Sequence, residues 1–140
     1  MASASTLENG IRILTESAPG SRSISLGVLI GASPQDDPAE QLGLAHVAEH
    51  ALFLGTRGRE GADLYRMMDS AGGQMGAFTA RDYTCIYADI LDEYVTYAME
   101  LVGDILANIA VPEDDLEQEK SAIQREIDLV ADSPYEQLNA

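Results

Sequence analysis

Apolar and polar residues alternate with period two along Ser23-Ile24-Ser25-Leu26-Gly27-Val28 before the run turns apolar at Leu29-Ile30, the pattern of a half-buried strand. Asn9-Gly10, between Ser5-Thr6-Leu7 and Ile11-Arg12-Ile13-Leu14, predicts a tight turn joining two further antiparallel strands. Pro19-Gly20 turns the second of them toward the Ser23 run. The cluster from Ser33 to Pro38 ends that run and leads into a helix predicted from about Ala39 to Leu54, closed by Gly55 as a left-handed cap. A short loop rich in Arg and Gly precedes a second helix, Ala62 to Ala71, stopped by Gly72-Gly73. Strands follow at Gln74 to Thr79 and Tyr83 to Leu91, the latter rich in the Thr, Ile and Tyr that sheet positions favour. Asp92 is the predicted N-cap of a long amphipathic helix to Ile109, and Pro112 opens a last helix to about Asp132.

Strands, two helices, strands, then two helices indicate an α+β fold, a mostly antiparallel sheet covered by helices on one face. A doubly wound parallel sheet needs a regular alternation that is missing here, and Gly72-Gly73 and Gly76 follow a helix, where a phosphate loop would follow a strand. The 140 residues suit a single domain.

Charge narrows the function. With 24 acidic and 8 basic residues the formal charge is -16, which sets aside nucleic acid, because phosphate recognition needs Lys and Arg patches. Residues 82 to 140 hold fifteen of the acids and two of the bases. Such a face serves solubility, and it also suits attraction of basic peptides. Cys85 is the only cysteine, so no internal disulfide forms, and its apolar surroundings predict a buried, inert thiol. The first six residues lack a basic and apolar leader pattern and no run of eighteen apolar residues occurs, so the sequence reads as cytoplasmic and not membrane-spanning.

His46-Val47-Ala48-Glu49-His50 places the only two histidines of the chain four residues apart, about one helical turn, with Glu49 on the same face. Two neutral imidazoles at that spacing can bind one Zn²⁺, and the carboxylate beside them can take a proton from water on the metal. The order His-x-x-Glu-His is the inverted zincin motif. Against a chance surface cluster stands the apolar setting of Leu42, Leu44, Val47, Ala51, Leu52 and Phe53, in which ionisable groups need partners. A third protein ligand is still required. In the last helix Glu119 and Glu126 lie two turns apart on one stripe with Ala122, Ile123 and Val130, predicted to face the core, as ligands or in salt bridges with Arg125 or Lys120.

The His46 to His50 motif, followed by Glu126 after 75 residues, resembles the zinc site of the pitrilysin and mitochondrial processing peptidase family. Leu7 to Ile13, Gly43 to His46, Phe53 to Thr56 and Gly72 to Thr84 carry the same resemblance, which spans nearly the whole chain. It implies His46, His50 and Glu126 as zinc ligands, Glu49 as general base, and Glu119 as a supporting residue that orients a ligand. It also implies that Gly76-Ala77-Phe78-Thr79 is an edge strand on which an extended peptide substrate is laid. Gly76 stands where many relatives have Asn, which removes a side-chain amide able to hold the substrate backbone.

The expected activity is zinc-dependent endopeptidase cleavage, one Zn²⁺ per chain. Family members continue well past Ala140 and add a second, related half. Ser133 to Ala140 carries no strand pattern, so residues 1–140 read as a single, incomplete N-terminal domain that works with a second peptidase half or a homo- or heterodimer partner. The alternative is a truncated, non-catalytic peptide-binding or assembly module of the same family. A purely structural zinc site fits less well, since such sites usually use four protein ligands, often Cys.

Overall fold

A computed structural model describes residues 2–132; Met1 and the segment 133–140, where the sequence shows no strand pattern, lie outside the described residues. The chain opens with an antiparallel hairpin, β1 (Ala2–Thr6) and β2 (Arg12–Glu16). Its turn is made as Asn9-Gly10 predicts: Asn9 Oδ1 accepts from the Ile11 amide at 3.2 Å, and Gly10 has φ +88°. Every residue from Ala2 to Ser23 is exposed.

The central sheet joins β3 (Ser23–Ile30), β7 (Thr84–Leu91) and β6 (Gln74–Thr79) in the order β3-β7-β6, all antiparallel. Alternation decides its two faces. Ile86, Ala88 and Ile90 of β7 and Met75 of β6 point into a core completed by Leu64 and Met68 of α2 (Gly61–Ser70) and by Ala98, Leu101, Val102 and Ile105 of α3 (Val95–Asn108). Leu64, Met68, Ile86 and Ile105 are fully enclosed, each worth about 1.5–3 kcal/mol of apolar burial. On the opposite face Leu29 and Phe78 remain exposed. The antiparallel sheet with helices on one face is therefore realised.

Local boundaries differ from the sequence expectation in four places. The zinc-motif helix α1 is shorter than 39–54, running Leu44–Ala51. Its start is set by Asp37, whose carboxylate accepts from the amides of Gly43 (2.8 Å) and Ala45 (3.0 Å), and Leu52 to Leu54 close it in tight turns. Gly55 is no left-handed cap: at φ +153° it enters β4 (Gly55–Thr56), paired with β5 (Arg59–Glu60) within the short loop rich in Arg and Gly. Asp92 does not cap α3; it sits in a 3-10 turn and its carboxylate pairs with Arg22 at 3.2 Å. Finally, the stripe of α4 (Glu113–Asp132) turns inward only as far as Ile123, since every residue from Gln124 to Asp132, Glu126 and Val130 included, is exposed. Pro112 stands just before α4 and its carbonyl accepts the first helical bond, from the Leu116 amide. The Gly72-Gly73 stop holds as predicted, their amides bonding the carbonyls of Asp69 and Met68.

Two contacts lock the loop between α1 and α2. A Cβ on Gly61 would run into the Phe53 carbonyl oxygen and meet the Leu54 oxygen at 2.9 Å, so only glycine lets α2 begin against the end of α1. Asp104 on α3 accepts from Asn108 Nδ2 (2.8 Å) and Thr56 Oγ1 (3.0 Å) and pairs with Arg59. The Asn108 bond, aided by Thr56 and Arg59, holds its carboxyl below the usual range. That stabilisation is complete above the unfolded carboxylate value of about 3.9 and is lost as pH falls through the lower folded value. Asp104→Asn is expected to lower unfolding free energy by about 1–3 kcal/mol at pH 7, with the gap closing below about pH 4. Urea denaturation at pH 7 and pH 3 reads this; equal midpoints at pH 7 would refute it.

Candidate metal centre

Two helices build the site. On α1 the one-turn spacing stacks His46 and His50, with ring centroids 4.8 Å apart and planes at 74°. Glu113, Asp114 and Asp115 in the first turn of α4 suit its positive end, and the helix carries Glu119 and Glu126 past α1 two turns apart. His50 Nδ1–H donates to Glu119 Oε1 at 2.7 Å. A carboxylate only accepts, so this bond fixes the His50 tautomer and leaves the Nε2 lone pair facing His46. Glu119 thus pairs with His50, while Lys120 pairs with Glu117.

His46 Nε2 and His50 Nε2 are 3.1 Å apart, and Glu126 Oε2 lies 3.6 Å from the first and 3.5 Å from the second. These atoms form a cluster with metal-ligand chemistry. Nitrogen and oxygen ligands at about 2.0–2.1 Å from a tetrahedral zinc stand roughly 3.3 Å apart, a value the three separations bracket. Two imidazole nitrogens and a carboxylate oxygen at these separations are a donor set that suits a divalent ion. The Glu126 side chain is 55% exposed, which leaves one side of the cluster open.

Beside it lies a cavity of about 300 Å³, bounded by Glu49 and His50 of α1, Phe53, Leu54, Tyr65 of α2, Gly76 and Ala77 of β6, and Glu119. Its volume is at the small end for ligand sites and suits a side chain or two of a longer ligand. Four residues singled out as a peptide-holding strand thus divide: Gly76 and Ala77 border the cavity, whereas Phe78 and Thr79 do not. Phe78 is exposed, its ring 6.0 Å from Tyr83 and 6.3 Å from Tyr87, and the Thr79 hydroxyl is buried with no hydrogen-bond partner among the described residues.

Tyr65 was not legible as a site residue. It follows the buried Leu64 on a helix with no local motif, and only the packing of α2 beside α1 brings its ring to 5.7 Å from Phe53. Burial, then the nearby Glu119 and Tyr87, raise its hydroxyl above the ordinary tyrosine value, so it stays a hydrogen-bond donor. Cys85 is buried, and that burial raises its thiol, as expected of an inert cysteine.

Comparison with known proteins places this geometry in context. The chain is 36% identical over 129 residues to a protein of Bacillus subtilis named as an uncharacterized zinc protease, a match covering 92% of this chain and 32% of that one. A similarly named protein of Mycobacterium leprae is 39% identical over 133 residues, covering 95% and 30%. In Arabidopsis thaliana, "Probable mitochondrial-processing peptidase subunit beta" is 36% identical over 122 residues, covering 87% and 23%. The chain thus spans about a third or less of the length of these relatives. A protease structure from Helicobacter pylori shares the fold, with a TM-score of 0.84 at 20% identity over 90% of this chain and 30% of that one. The model of the insulinase family, peptidase family M16, matches residues 12–140, in line with the resemblance carried by the zinc motif. The chain belongs to that family of peptidases.

Proposed function

We propose that this chain is the metal- and peptide-holding N-terminal part of a zinc-dependent endopeptidase acting on extended peptides. The observation that carries this reading is the triangle of His46 Nε2, His50 Nε2 and Glu126 Oε2, held by two helices beside a cavity that contains Glu49. In this reading the two histidines and Glu126 hold one Zn²⁺ per chain, and Glu119 keeps His50 in the right tautomer. Bound there, zinc supplies water acidified to a pKa near 7 and polarises the scissile carbonyl. Glu49 takes the proton from the attacking water and returns it to the leaving amine. Gly76 and Ala77 offer a strand along which the peptide backbone lies, with Phe53, Leu54 and Tyr65 covering one of its side chains.

The names of the relatives as zinc proteases support both metal and chemistry. Their length supports a partner: a second peptidase half, or a dimer mate, completes the chamber around the substrate. The second reading is a module that holds zinc and peptide without cutting. No helix among the described residues is long and apolar enough to cross a membrane. A cytoplasmic location is part of the proposal. The test is zinc content and cleavage of a quenched peptide library, with and without a chelator. Stoichiometric zinc with chelator-sensitive cleavage is expected. Zinc without cleavage selects the module, and absence of zinc from the purified and zinc-dialysed chain rejects both.

A further inference from the structure

Strand β6 carries a glycine where it borders the cavity, and the space above that glycine is taken. Gly76 stands opposite Tyr87 in the β6–β7 register. A Cβ on Gly76 would lie 2.7 Å from Tyr87 Oη, 2.9 Å from Cζ and 3.1 Å from Cε1. Carbon atoms in favourable contact stand about 3.5–4.0 Å apart, so the phenol end is folded across the strand into the volume that a side chain at 76 would fill. The ring is half-buried and leans on Phe78, while its hydroxyl has no hydrogen-bond partner among the described residues. Tyr65, on another wall of the cavity, feels the Tyr87 hydroxyl electrostatically. A donor free to pair is therefore held against Gly76, which borders the space lined by Glu49 and His50.

An aromatic ring over a cross-strand glycine also stabilises a sheet by covering exposed backbone. That role needs the ring and not the hydroxyl, which lets the two be separated. We propose that Tyr87 is a positioning residue whose hydroxyl hydrogen-bonds the backbone carbonyl of an extended polypeptide lying along β6, at the point where Gly76 contributes no side chain of its own. This rests on the peptide-holding reading above. Gly76 is then part of the same device, because any larger residue pushes the phenol aside.

The test uses fluorescein-labelled β-casein, a disordered and apolar polypeptide, with the zinc-loaded chain. Binding is read by anisotropy in a Glu49→Gln background, and cleavage kinetics in the parent. Tyr87→Phe is expected to weaken binding about 2–10-fold, the worth of one hydrogen bond, and to raise KM by the same factor with kcat, zinc content and Tm unchanged. Gly76→Ala is expected to act in the same direction, with little further loss when combined with Tyr87→Phe, since both remove one contact. Tyr87→Ala, which also removes the ring, is expected to lower Tm. If Tyr87→Phe binds β-casein as tightly as its parent, the hydroxyl has no such role and this inference fails, while the peptidase reading stands on the parent's own binding and cleavage. A zinc-loaded parent that binds no β-casein overturns both.

Discussion

Glu126→Gln is expected to weaken zinc affinity by at least about 10²-fold, beyond the 10–100-fold that outer partners of a metal ligand typically carry. The substitution keeps the side chain's size but replaces an anionic oxygen, 3.5 and 3.6 Å from the two histidine nitrogens, with a neutral amide. Two imidazoles on one helix then remain. Because Glu126 is exposed, the metal-free fold is expected to change by no more than about 0.5 kcal/mol, so loss of metal cannot be confused with loss of structure. Zinc per chain after dialysis against buffer of fixed free zinc is the measurement. Glu117→Gln, on the same helix and paired with Lys120, serves as the control that keeps its zinc. A Glu126→Gln protein with the parent's zinc content would remove this residue from the ligand set.

Glu49→Gln separates chemistry from metal holding. Glu49 borders the cavity with His50 but is absent from the triangle of donor atoms, so its carboxylate is free to exchange a proton with water there. A general base at that place contributes about 10²–10⁴ in rate, and cleavage of a quenched peptide is expected to fall by that factor while zinc stoichiometry stays at the parent value. Cleavage at the parent rate would show that another group moves the proton. Zinc lost together with activity would instead make Glu49 part of the metal's support.

Periodicity and punctuation carried most of this architecture. Asn9-Gly10, Gly72-Gly73 and the alternation from Ser23 to Ile30 depend on neighbours in sequence, and the structure places them as read. What escaped depends on residues far apart. Asp37 starts α1 from outside the helix through the Gly43 and Ala45 amides, a side-chain reach that helix propensity does not encode. Arg22 draws Asp92 away from the N-cap role. On α4 a seven-residue stripe predicts a continuous inward face, yet among the described residues α4 meets packing only through Ile123, and the apolar Ile127, Leu129 and Val130 stay exposed. Of the site, His46, Glu49 and His50 form a local motif, while Glu119 and Glu126 were reached by spacing and by resemblance. The cavity wall at Tyr65, and Tyr87 folded over Gly76 beside it, arise from helix and strand packing and left no mark in the sequence.

Donors from α1 and α4, with 75 residues between His50 and Glu126, meet only once the sheet and its covering helices have formed. For the ion binding proposed above, binding and folding form one thermodynamic cycle. An ion that binds the folded chain and not the unfolded one adds about 2.7 kcal/mol to stability at a hundred times its dissociation constant. Lesions in the distant core, such as truncation of Ile86 or Ile105, are expected to surface as weakened metal affinity, and free metal to mask them in a melting experiment. With zinc held as proposed, a chelator is expected to act on this chain as a mild denaturant.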